Sequence, residues 1–127
     1  MLKKKITNNM TFKVNEEKRT VVCVLKSKGQ DVYGIAKCNV CDTFDLEKGK
    51  LIAAYRAEIK QRQRDLRNTN EFISLLQNLI HKFRVVKYEW ERSKHWDNFL
   101  RIACEERTKQ LENIKFCKNE LKELTKD

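Results

Sequence analysis

Three stretches near the start of the chain have the look of short strands: "TFKV" from Thr11, "RTVVCVLK" from Arg19 and "DVYGIAKC" from Asp31. A period of two puts every second side chain on the same face of a strand, so each stretch reads as a β-strand with one buried face. The middle one is richest in β-branched residues, the polar tetrapeptides "NEEK" and "SKGQ" separate the three, and Gly29 supplies the positive φ that tight hairpins use. The pattern predicts a three-stranded antiparallel meander over residues 10–40. A sheet this small is marginal when open to water, so the segment that follows must cover one of its faces.

From Asp45 the period changes. Asp45 suits an N-cap, with Phe44 placed to pack on the first turn, and Ile52, Tyr55, Ile59 and Leu66 fall on one stripe, which predicts a first long helix over 45–67. Gly49 in its first turn is a place where a ligand or another backbone can come close, most simply the sheet. "RNTNE" interrupts the pattern: Asn68 can take the left-handed conformation that ends a helix, and Asn68 with Glu71 resembles a capping box that opens the next. A second long helix is predicted over 70–125, carried by Phe72, Leu75, Leu76, Leu79, Ile80 and Phe83 and resuming at Trp96, Phe99, Leu100, Ala103, Leu111, Ile114 and Leu121. A break near 84–95 is the alternative, although that stretch has no Pro or Gly to force one. A continuous helix of about 50 residues extends about 75 Å, far beyond the diameter of a globule of 127 residues, so its apolar stripe needs a partner. The expected fold is α+β and mostly helical: a single domain in which a small sheet precedes long antiparallel helices forming a coiled-coil-like homo-oligomer, with the dimer as building block.

Composition agrees with long helices, since Pro is absent and Gly occurs three times. The net charge of +10 is spread along the chain: residues 1–50 hold 11 Lys/Arg against 6 Asp/Glu, and the remainder 17 against 12. Such a field attracts polyanions such as nucleic acid, anionic lipid or nucleotide phosphates without choosing among them, and it equally describes a solvated helical surface. No run approaches the roughly 18 apolar residues of a membrane span, and "MLKKKITNNM" lacks the apolar core of a signal peptide, so a soluble cytoplasmic protein is expected. Five cysteines, an odd number with no small-scaffold spacing, suit thiols in a reducing compartment.

Cys38 and Cys41 have the spacing of half a zinc site, but the other half is missing. Cys104 and Cys117 stand about 19 Å apart along a helix, and His81 and His95 lack ligand spacing. No βαβ unit surrounds the pair to make it a redox motif, and Cys23 among valines reads as a core residue. Asp42 and Asp45 read as turn and cap residues ahead of an acid–base pair. Without a nucleophile elbow, phosphate loop or zinc-protease motif, neither catalysis nor a cofactor is expected. More suggestive is the mixture of bases and aromatics. Arg56, Lys60, Arg64 and Arg67 follow one side of the first helix, and "HKFRVVKYEWERSKHWDNFLR" interleaves Phe83, Tyr88, Trp90, Trp96 and Phe99 with Arg84, Lys87, Arg92, Lys94 and Arg101. Aromatic faces stack on bases, guanidinium groups grip phosphates, and Asn98 can read a base or ribose edge. Aromatics at helical spacing also fit a core or an oligomer interface, the reading given to Phe72, Phe83 and Phe99. Tyr88, Trp90 and Trp96 cannot all share that stripe, which leaves aromatic surface for a ligand or a subunit.

The order of these features, with the strand end "GIAKC", the acidic turn "DTFD", the helix start "EKGK" and its continuation "AAYRA", resembles small proteins from phages of Gram-positive hosts, and among them the anti-Thoeris signal-sponge family. The likeness covers the order of elements over most of the chain and, at the level of sequence, residues 34–57. It implies dimers and trimers of dimers that sequester, without cleaving, cyclic ADP-ribose isomers made by host TIR-domain enzymes. A phage counter-defence protein acting in the host cytoplasm is therefore implied, with a cyclic nucleotide and further copies of itself, up to a hexamer, as partners. For a ligand with two phosphates, an adenine and riboses, the chemistry asks for arginines, an aromatic platform and an amide; the candidate ligand-binding residues are Arg56, Phe83, Arg84, Trp96, Asn98, Arg101 and Arg107. Two rival readings stay open: a basic nucleic-acid-binding module whose affinity falls steeply with salt, and a coiled-coil adaptor that inhibits a host protein through exposed aromatic hot spots.

Overall fold

The computed structural model describes residues 6–38, 45–85 and 90–125, and of residues 83–85 and 90–93 the backbone alone. Three strands, β1 (Met10–Asn15), β2 (Thr20–Ser27) and β3 (Gln30–Lys37), precede two helices, α1 (Leu46–Val85) and α2 (Trp90–Thr125). The strands form one antiparallel sheet in the order β1-β2-β3, the meander that the alternation predicts. Turn chemistry explains both hairpins. Ser27 pairs with Gln30, leaving Lys28 and Gly29 as a two-residue loop at φ 52° and 75°, the positive values whose twist matches the flanking strands. Between β1 and β2 the Lys18 N–H donates to Asn15 Oδ1 at 3.0 Å, and Arg19 closes the loop at φ 54°.

The chain divides into two compact units, Met1–Arg62 with Ile114–Asp127, and Gln63–Asn113. In the first, the inner face of the sheet packs Val21, Cys23, Leu25 and Ala36 on Ala53, Ala54 and Ala57 of α1. Three alanines let the helix approach until backbone meets backbone. A Cβ on Gly34 of β3 would overlap the Ala53 carbonyl oxygen and the Ala57 nitrogen, so this contact exists only because residue 34 has no side chain. Gly49 makes the helix-on-sheet approach expected of it: a Cβ there would stand 3.0 Å from Val21 Cγ2. The Asp45 cap also forms, its Oδ1 accepting from the Lys48 N–H at 3.1 Å, while Phe44 lies outside the described residues. Leu121 and Leu124 of α2 pack with Cys117 against Tyr55 and Ile59 to complete this unit.

The second unit is an antiparallel helical pair. Ile73 and Leu76 of α1 meet Ala103 of α2, with Trp96, Leu100 and Cys104 packed around them. Here the helix boundaries differ from the expected 45–67 and 70–125. α1 runs straight through "RNTNE" to Val85, and α2 starts afresh at Trp90. The row Ile52, Ile59, Leu66, Ile73 and Ile80 keeps a spacing of seven across Asn68, and burying such a row outweighs the roughly 0.5 kcal/mol per residue that Asn and Thr cost in a helix interior. Asn68 and Glu71 therefore make no new cap. Thr69 instead donates its hydroxyl to the Asp65 carbonyl at 3.1 Å, a bond inside the helix. The two helices also cover part of each other's seam within one chain, a task the sequence reading assigned to a second copy. Among the described residues no helix is long and apolar enough to cross a membrane.

Candidate functional site

In the unit of residues 63–113 each helix carries two apolar stripes. Ile73, Leu76 and Ile80 are buried on α1, whereas Phe72, Leu75 and Leu79 are exposed one residue before each of them. On α2, Leu100 and Ala103 face the seam and Phe99 and Ile102 precede them in the same way, both exposed. In an antiparallel pair, a step of one residue towards the N-terminus rotates both helices to the same side. The five exposed side chains thus form one apolar face along the helical pair, at the spacing of a bundle seam.

Beside this face lies the polar chemistry. Arg101 Nη2 donates to Asn98 Oδ1 at 2.9 Å, and its Nη1 pairs with Glu105 Oε1 at 2.7 Å. Spacings of three and four place these groups on neighbouring turns. Phe99 holds the centre of an aromatic cluster, with His95 edge-on at 5.4 Å and Trp96 tilted at 5.7 Å between ring centroids. Trp96 is the inward member, packed on the helical core, which fixes the base on which Phe99 stands. The amide and the guanidinium stand together, whereas the Phe99 ring, two residues before Arg101, is about 160° from it around the helix. Glu105 competes with any incoming anion, but the pair is 61% and 60% exposed, and an ion pair so hydrated contributes about 1 kcal/mol or less.

No known protein family, characterised protein or solved structure matches this chain. The assignment of residues therefore rests on geometry.

Of the seven sequence candidates, the structure brings together Asn98 and Arg101, which are hydrogen-bonded; Trp96 is on the seam side, about 160° from Asn98 and about 140° from Arg101 around the helix. Arg56 belongs to the other unit, where its Nη1 donates to the Ile35 carbonyl of β3 at 2.6 Å. Arg107 is half-buried and sits seven residues after Leu100, on the seam row; six residues from Arg101, it is about 120° away around the helix and does not converge with it. The side chains of Phe83 and Arg84 lie outside the described residues, as do Cys41, Asp42, Lys87 and Tyr88 and the side chains of Trp90 and Arg92. The reading missed His95, whose signal was its place four residues before Phe99. It also missed Ile102, an apolar residue four residues after Asn98.

The remaining reactive groups have structural surroundings. Among the described residues no group of three or more His, Cys, Asp or Glu could hold a metal ion. Cys38 accepts from Arg19 Nη2 at 3.4 Å across the hairpin end. Arg62 donates twice to Glu58 Oε1, at 3.0 and 2.8 Å. Burial pulls Arg62 down, yet the Glu58 carboxylate overcomes this and leaves it raised; the Tyr55 hydroxyl nearby is pushed up by burial and then by Glu120. Cys23 is fully buried under α1, and burial pushes its thiol up to about 11. Below pH 9 both the folded and the unfolded chain keep the proton. Between about 9 and about 11 the unfolded chain gives it up and the folded chain does not, so stability falls across that window. Urea unfolding at pH 8 and at pH 10.5 should show this decline, and Cys23→Ala should flatten it.

Proposed function

We propose that this chain is a non-catalytic binding protein that sequesters a cyclic ADP-ribose isomer, as a phage counter-defence protein does, at the rim where copies of the chain meet. One observation carries the reading: Phe99 lies on the exposed apolar face with Phe72, Leu75, Leu79 and Ile102, and the hydrogen-bonded pair Asn98 and Arg101 flanks that face on α2. Five large apolar side chains exposed on one side of a helical pair favour burial against an equivalent face, giving a four-helix arrangement with two-fold symmetry. Closing such a contact turns Phe99 from an open surface into one wall of a crevice. A nucleotide held there stacks its base on Phe99 of one copy, while Asn98 and Arg101 of another copy meet its ring or ribose edge and, in place of Glu105, its pyrophosphate. A rigid cyclic ligand loses little conformational freedom on capture, so few contacts suffice for slow release. Release of the intact ligand is part of the proposal.

The test is to incubate the purified protein with cyclic ADP-ribose isomers, remove free ligand, heat, and identify what is freed. Recovery of unaltered ligand is expected, together with a rise in melting temperature on binding and a loss of uptake of about tenfold or more in Phe99→Ala and in Arg101→Ala. Uptake of none of the isomers overturns the reading, and recovery of a cleaved product makes the protein an enzyme instead.

A further inference from the structure

We infer that the open face of the sheet is a binding platform for single-stranded nucleic acid, separate from the helical site. The register defines it. Two cross-strand rows, Lys13–Val22–Ile35 and Thr11–Val24–Tyr33, point away from α1, because their residues alternate with Cys23 and its inward neighbours. The centre of this face is apolar: Val24 is buried even on the open side, and Tyr33 and Ile35 of β3 are 49% and 51% exposed.

Cations surround that centre on all four sides. Lys13 stands on β1 beside Val22, Lys26 lies two residues beyond Val24, and Lys37 lies two residues beyond Ile35. Arg56 occupies the outer edge of β3, held there by the Ile35 carbonyl at 2.6 Å. Among the described strand residues, the one carboxylate on this face is Asp31, opposite Lys26 at the corner. Such a rim disfavours contact with a second copy through the same face, since a two-fold contact would set lysines against lysines. It favours a polyanion. The apolar centre is two rows deep along the strands, about 7 Å, and two strands wide, about 5 Å, which matches one or two stacked bases and falls far short of the roughly 800 Å² that a stable protein partner covers. Tyr33 provides the stacking face, Val24 and Ile35 the apolar floor, and the cations meet successive phosphates, the combination by which sheet surfaces hold single strands.

The experiment is fluorescence anisotropy with a labelled ten-nucleotide oligodeoxythymidine at 50 mM and 200 mM salt, with polyglutamate and anionic vesicles as competitors. Binding that weakens with salt is expected. Tyr33→Ala should lower affinity by about tenfold, and the triple variant Lys13→Gln, Lys26→Gln, Lys37→Gln should reduce the salt slope. Lys109→Gln, an exposed lysine on α2, should change neither. All of these positions are surface ones, and circular dichroism checks that the variants remain folded. Lack of oligonucleotide binding, affinity unchanged in Tyr33→Ala, or displacement by polyglutamate or vesicles as effective as by unlabelled oligonucleotide overturns the inference. The readout involves no cyclic nucleotide, so its failure and that of the helical site are distinguishable.

Discussion

Gly34→Ala is expected to cost about 3 kcal/mol or more, a large share of the 5–15 kcal/mol by which a domain of this size is stable. The added methyl has nowhere to go: what it meets is the Ala53 carbonyl and the Ala57 nitrogen, backbone atoms of a helix that cannot rotate aside as a side chain would. Either α1 lifts off β3 and loosens the layer of Ala53, Ala54 and Ala57 against Val21 and Cys23, or the strand buckles. Gly49→Ala is the matched control. There the nearest atom is a valine methyl, which can shift, and alanine gains up to about 1 kcal/mol in helix propensity, so stability should stay within about 1 kcal/mol of the parent. Urea unfolding of both variants decides the matter. A Gly34→Ala chain as stable as the parent means that α1 is not seated on the sheet in this way.

Leu75 and Leu76 are neighbours with opposite expected roles. Leu76 is 2% exposed in the core of the helical pair, and Leu76→Ala should lose about 3 kcal/mol by deleting buried methyl groups and leaving a cavity. Leu75 is 62% exposed in the middle of the apolar face, and Leu75→Asp should leave the fold of the single chain nearly unchanged while abolishing association. Chemical unfolding at low protein concentration reads the first effect, and sedimentation velocity at micromolar concentration reads the second. A parent chain that sediments as a monomer, or a Leu75→Asp chain that still associates, removes the shared-rim site from consideration.

Much of the sheet unit was legible because its signals are local. β-branched residues and alternation between polar turns marked the three strands, Gly29 marked the tight hairpin, and Asp45 marked the start of α1. Gly34 was not legible as a contact point, since nothing near it in sequence announces the three alanines about twenty residues later that need its missing side chain. The helix ends were misjudged for a different reason. Capping chemistry at Asn68 was weighed above the row of five residues, seven apart, from Ile52 to Ile80, although a local preference of a few tenths of a kcal/mol cannot interrupt a largely buried row of that length. In the helical site, Asn98 and Arg101 could be paired from a spacing of three. Arg56 and Arg107 could not be placed, because the partner of one is a strand carbonyl twenty-one residues away and the position of the other depends on which row faces the seam.

The composition of the two units also dictates an order of events on the ribosome. Residues 63–113 are contiguous, so that helical pair can close as soon as it emerges, through contacts of short sequence separation. The sheet and the first turns of α1 emerge earlier, yet Tyr55 and Ile59 stay uncovered until Cys117, Leu121 and Leu124 arrive. During that interval a nascent chain presents a sticky, half-built surface, and chaperone contacts during translation should concentrate there.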